Sequence, residues 1–120
     1  MNNVPKGKKG EEEAARYLES MGMTIAERNY RTREGEIDII AYDGDTLVFV
    51  EVKTRESGRF GLPREAVTPR KKRNLSKTAL VYMKDRSLFD RPARFDVVEI
   101  SIIEGGKEIN HIKNAFEPII

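Results

Sequence analysis

Apolar residues change their spacing several times along this chain, and each change predicts an element. From about Glu11 to Met21, Ala14, Ala15, Leu18 and Met21 recur at helical intervals, and Gly22 ends the run. Met23 to Arg31 reads as a strand. A second strand is predicted from about Glu36 to Tyr42 and a third from Thr46 to Thr54, joined by the hairpin signal Asp43-Gly44-Asp45. Gly58, Gly61 and Pro63 mark a loop. Thr68 and Pro69 then read as N-cap and first helical residue of a helix reaching about Lys84, with Leu75, Ala79, Tyr82 and Met83 on its buried stripe. A fourth strand is predicted over Arg94 to Ile102 and, after Gly105-Gly106, a shorter fifth over Glu108 to Ile112. The order is helix, three strands, helix, two strands. It predicts one α/β domain over residues 1–120, a central mixed β-sheet of about five strands with helices packed on its faces.

Charges interrupt this pattern at a few positions. Asp38 lies in the second strand, and Glu51 and Lys53 in the third, reading Asp-x12-Glu-x-Lys. With a Gly44-Asp45 loop, Asp38 faces Glu51; with an Asp43-Gly44 loop, it faces Phe49. Either register puts Asp38, Glu51 and Lys53 on one face, because strand side chains alternate with period 2. Ile37, Ile39, Val48, Val50 and Val52 are expected on the other. Glu11 precedes Ala14, Ala15 and Leu18 by three, four and seven positions, so it lies on the buried stripe of the first helix. The chain therefore aims three carboxylates and one lysine inward.

Composition narrows the chemistry. The 120 residues are 38% hydrophobic and 35% charged and include no cysteine, which excludes disulfides, thiol catalysis and Cys-ligated metal. The longest apolar run, Ala79 to Met83, is too short to span a bilayer, and Met1 to Gly10 lacks the apolar segment of a secretory signal. A cytoplasmic protein is the expectation. Net charge is only +2, but Lys6, Lys8 and Lys9 open the chain, and Arg64, Arg70, Lys71, Lys72, Arg73 and Lys77 form a second basic block. A small total can hide a basic face. His111 is the only histidine, without a serine or cysteine nucleophile pattern, and reads as a packed or surface residue. No Gly-rich phosphate loop is present, so no nucleotide cofactor is expected.

Two readings of the inward charges stand side by side. In one, Lys53 neutralises Asp38 and Glu51 as a buried ion pair. In the other, Asp38 and Glu51 hold Mg²⁺ or Mn²⁺, with the Val52 carbonyl as a further ligand and Glu11 and Glu36 as additional or competing ones. A metal-bound water and the Lys53 ammonium are what phosphodiester hydrolysis requires. Three acids against one lysine leave negative charge that a cation resolves. Arg28, Arg31, Arg55, Arg70, Lys71 and Lys72 are the candidate phosphate contacts, against the plainer reading of solvated charge. Phe60 reads either as a base-stacking aromatic or as an anchor beneath its loop.

Several motifs occur together in order: Gly10-Glu11, Ala14, Tyr17-Leu18, Gly22, Asn29-Tyr30-Arg31, Gly35 to Ile40, Phe49 to Arg55, Phe60-Gly61, Lys72, Arg94 to Val98 and Ala115-Phe116. In these the chain resembles the YraN-like family of uncharacterised bacterial proteins. That family is similar to the restriction-endonuclease-like PD-(D/E)xK superfamily and, within it, to archaeal Holliday-junction resolvases. The resemblance implies a restriction-endonuclease-like fold and places the metal-binding acid on Asp38, the Glu-x-Lys on Glu51 and Lys53, and the helix-one glutamate on Glu11. The proline that precedes the acid in that superfamily is replaced by Ile37. The implied activity is Mg²⁺-dependent hydrolysis of DNA, rather than RNA, with branched or junction DNA as substrate and a homodimer as the acting form. The alternatives are a non-catalytic nucleic-acid-binding module that kept the fold, and a protein adaptor working through a sheet edge.

Overall fold

The computed structural model describes residues 6–55 and 67–119, those at 6–9 by backbone alone. The expected loop at Gly58, Gly61 and Pro63, the residues Phe60 and Arg64, and the side chains of Lys6, Lys8 and Lys9 lie outside this description. The described residues form α1 (Lys6–Ser20), β1 (Thr24–Thr32), β2 (Gly35–Asp43), β3 (Thr46–Arg55), α2 (Pro69–Asp85), β4 (Ala93–Ile103) and β5 (Gly106–Phe116). The element order matches the sequence pattern. Two bounds differ. α1 begins five residues before Glu11, where no apolar stripe marks it. β5 runs on to Phe116, because beyond an irregularity after Ile112 it pairs with β4 again, Phe116 opposite Phe95.

The sheet order is β1-β2-β3-β4-β5. β1, β2 and β3 form an antiparallel meander, β4 lies parallel to β3, and β5 returns antiparallel to β4. A parallel neighbour needs a crossover, which α2 supplies. The β2–β3 hairpin pairs Asp43 with Thr46 across a Gly44-Asp45 loop. Gly44 has φ 61°, and Asp45 does not have positive φ, so the loop has the glycine-first form that suits strand twist. This selects the register in which Asp38 is directed at Glu51.

Each helix covers one face. α2 packs over Ile37, Ile40, Leu47, Phe49, Phe95 and Val97 through Leu75, Ala79, Tyr82 and Met83. α1 covers Ile39, Ala41, Val48, Val50, Val98 and Ile100 through Ala14, Ala15 and Leu18. Burying one such aliphatic side chain stabilises the fold by roughly 1.5–3 kcal/mol, so two filled layers explain why β2, β3 and β4 are apolar on both faces. α2 starts at Pro69, and the Lys71 N–H donates to Thr68 Oγ1 at 3.2 Å, as the capping signal predicts. No described helix is long and apolar enough to cross a membrane.

One expectation fails. Ile37 and Ile39 were to share a face, yet Ile37 packs in the α2 layer and Ile39 in the α1 layer. The pleat is interrupted between them. β1 pairs Tyr30 with Ile37 and Arg28 with Ile39, but Asn29 and Asp38 do not pair, and Asn29 holds φ 54°. On the other side, the β2–β3 ladder stops at Ile39 and Val50. The next free donor, the Val52 N–H, is taken by Asp38 Oδ2 at 2.8 Å. A side chain has replaced a backbone acceptor, and the strands part at Asp38.

Candidate functional site

The parting of β2 and β3 positions the site. Phe49 faces the α2 layer, and alternation carries Glu51, Lys53 and Arg55 to the same side. Glu11 comes from α1, on the opposite side of the sheet. Asp38 stands where the ladder has opened, and its carboxyl feels both Glu51 and Glu11. The expected joining of Asp38, Glu51, Lys53 and Glu11 is therefore observed, but through the split between strands rather than across one flat face.

Gly10 makes the approach of α1 close enough. A Cβ at this buried position would run into the Thr54 side chain on β3. Glycine lets the first turns of α1 lie against that strand and brings Glu11 to the acids of β2. Glu11, Glu36 and Asp38 each offer a carboxylate oxygen, and these lie within 4.8 Å of one another. Glu11 Oε1 is buried and has no hydrogen-bond partner among the described residues. An oxygen in that state costs free energy unless something electropositive meets it. The oxygen-only set fits Mg²⁺ or Mn²⁺ in donor type. Val52 joins through its N–H, the contact with Asp38 described above.

Burial is the first cause, and the Glu51 charge the second, that pushes the Asp38 carboxyl up to about 8. The Val52 N–H favours the ionised form and offsets part of this, while Glu51 as a hydrogen-bond partner and the charge of Glu11 add to the rise. Glu51, almost wholly buried, is met by two ammonium groups. Lys53 Nζ and Lys71 Nζ each lie 3.4 Å from its Oε2. Lys53 was expected here. Lys71 was expected at phosphate, and nothing in its helical spacing pointed to Glu51.

Of the other candidate phosphate contacts, Arg28, Arg31, Arg55 and Lys72 also have partners inside the chain. Arg28 pairs with Glu12 at 3.0 Å, Arg31 with Glu36 at 2.8 Å, and Arg55 with the fully buried Glu99 at 3.0 Å. Asn110 donates to the second Glu99 oxygen at 3.1 Å. Lys72 Nζ sits 5.6 Å from the centre of the Phe116 ring. Arg70 makes no ion pair with a described residue and is exposed on the first turn of α2.

A second buried network holds β4, β5 and α1 together. The fully buried Asp96 accepts from Arg94 Nε at 3.0 Å and from the Asn114 N–H at 2.9 Å. It also binds His111 Nε2 at 2.8 Å, and His111 Nδ1 meets the Tyr17 hydroxyl at 3.1 Å. With Nε2–H donating to Asp96, Nδ1 is left to accept from Tyr17. Burial alone would raise the Asp96 carboxyl, but the bonds from His111, Arg94 and Asn114 outweigh it and hold it below the ordinary value. His111 is thus a packed residue, one of the two readings the sequence left open, and the sequence carried no sign of its two partners.

Fold and site together define the class: an α/β protein with a five-stranded mixed sheet and an acidic cluster where its second and third strands part. Residues 10–100 match Uncharacterised protein family UPF0102, and the chain belongs to that family. A UPF0102 protein of Syntrophus aciditrophicus is 54% identical over 115 residues, covering 96% of this chain and 91% of that one. One from Geobacter sulfurreducens is 51% identical over 112 residues, covering 92% and 88%. One from Clostridioides difficile is 47% identical over 116 residues, covering 97% and 100%.

Proposed function

We propose that this protein is a restriction-endonuclease-like, metal-dependent nuclease that hydrolyses DNA phosphodiesters. The observation that carries the reading is the meeting of Glu11, Glu36 and Asp38, with one Glu11 oxygen buried and without a partner among the described residues, beside a Glu51 held by Lys53. Support for the fold reading comes from the placement of the acids at the opening of a meander whose third strand is flanked by a parallel neighbour.

Glu11, Glu36 and Asp38 would hold Mg²⁺ or Mn²⁺, with Glu51 next to them. Such an ion, when bound, makes water a stronger nucleophile and stabilises charge gathering on the phosphate. The chain's own residues do the rest. Asp38 Oδ2, fixed by the Val52 N–H, keeps one lone-pair direction set and leaves its other oxygen for a ligand. Asp38 makes no ion pair with a described residue, so a cation there would compete with a proton rather than with a basic side chain. Lys53, about one-third exposed, keeps its ammonium at the surface of the site, where a phosphate oxygen or attacking water can meet it. The buried Glu51 carboxylate holds Lys53 in that place.

Incubation of purified protein with Mg²⁺ or Mn²⁺ and a panel of junction, flap, duplex and single-stranded DNAs tests the proposal. The expected result is cleavage of at least one substrate and a loss of about 100-fold or more in Lys53→Ala, the scale for removing one charge-stabilising group. No cutting by the wild type, or equal cutting by Lys53→Ala, overturns it.

A further inference from the structure

Lys71 is the basic residue whose position the proposed phosphate role leaves unexplained. It lies in the first turn of α2, where cations oppose the helix dipole and where no acid is present. Its ammonium nevertheless turns inward and lies 3.4 Å from Glu51 Oε2, the oxygen that Lys53 Nζ also approaches at 3.4 Å. The Glu51 side chain is 5% exposed, so it cannot take up further partners from solvent. The two lysines differ in attachment. Lys53 is rooted in β3, two residues from Glu51, and stays beside it whatever the helix does. Lys71 reaches across from a different element, and its side chain is 44% exposed. Lys71 is therefore the partner that can leave.

We propose that Lys71 is a displaceable counter-ion of Glu51. Without a divalent cation it satisfies the buried carboxylate. When a cation binds among the acids, two ammonium groups and a divalent charge around one carboxylate repel one another, and Lys71 gives way. Its four-carbon stem then carries the ammonium to the solvent side of the α2 N-terminus, next to the exposed Arg70, where a DNA phosphate is met by both cations. The same residue thus resists cation binding in the free protein and strengthens DNA binding in the loaded one. This role rests on the nuclease reading and adds to it an exchange between metal and lysine on Glu51.

Calorimetric titration of the full chain with Mn²⁺ tests it, using wild type, Lys71→Met, Lys71→Gln and Arg70→Met, with thermal melts to verify folding. A second arm measures binding of a DNA duplex in Ca²⁺ at several salt concentrations. Both Lys71 variants are expected to bind Mn²⁺ roughly tenfold more tightly than wild type, since a repelling charge has gone. They are expected to bind DNA more weakly, with the salt dependence reduced by about one counter-ion. Mn²⁺ affinity unchanged in both, with wild type binding Mn²⁺, overturns the counter-ion role and leaves the nuclease reading standing. An equal gain in Arg70→Met overturns it too, because the effect is then general helix charge. Absence of Mn²⁺ uptake by every protein overturns the metal reading, and the Lys71 role with it.

Discussion

Asp38 does three things at once. It ends a strand ladder, caps the Val52 N–H and contributes to an acidic cluster. Its carboxyl, lifted from 3.8 to about 8 chiefly by burial and then by Glu51, keeps its proton in the folded protein over an interval in which the unfolded chain has lost it. The folded state therefore binds more protons between these values, and stability falls as pH rises from about 4 to about 8. Thermal melts in EDTA across this range are expected to show that decline. Asp38→Asn keeps the acceptor for Val52 and cannot ionise, so its melting temperature is expected to be flatter with pH. A slope equal to wild type in that variant would assign the dependence to another group.

At the scale of elements, the contact between α1 and β3 is set by the lack of a side chain at Gly10. Alanine is a better helix former than glycine by about 1 kcal/mol, so Gly10→Ala ought to stabilise α1 on propensity alone. The added Cβ meets Thr54, and that contact sits in the first half of the helix that carries Glu11. Gly10→Ala is expected to lower stability in urea denaturation despite the gain in propensity, and to weaken Mn²⁺ binding. Thr54→Ala removes the obstructing hydroxyl and is expected to recover most of both losses when combined with Gly10→Ala. Additive effects in the double-mutant cycle would sink the idea that these positions touch. The network of Arg94, Asp96, His111 and Tyr17 ties the other end of α1 to β4 and β5, so α1 is held at two places along its length.

For the molecule as a whole, a cation held by Glu11, Glu36 and Asp38 would couple its binding to folding through those carboxylates. A ligand that binds only the folded state raises its stability, and one that competes with a proton does so more strongly as that proton is lost. Millimolar Mn²⁺ is expected to raise the melting temperature of the wild type more at pH 8 than at pH 6. Triple replacement of Glu11, Glu36 and Asp38 by the corresponding amides is expected to abolish the rise at both. A rise equal at the two pH values would mean that the ion is bound elsewhere. The charge distribution also acts at this scale: with Arg28, Arg31, Arg55 and Lys71 each paired to an acid, the chain presents less free positive charge than its basic residues suggest.

What the sequence determined by itself is what local backbone geometry controls. The 3.6-residue period put Glu11 on the stripe of α1. The Thr68-Pro69 pair marked where α2 begins, and period-2 alternation kept Glu51 and Lys53 together whichever hairpin loop formed. Family membership was also legible, since the motifs run in order along the chain. Tertiary structure alone decided that β4 lies beside β3, that the two helices cover opposite faces, and that Asp38 joins those two sides where the strands part. It also sent Lys71 to Glu51, Arg55 to Glu99 and His111 to Asp96. Those pairings join residues far apart in the chain. They depend on which surfaces exclude water together, and buried charges take whichever opposite charge or polar partner that packing brings within reach.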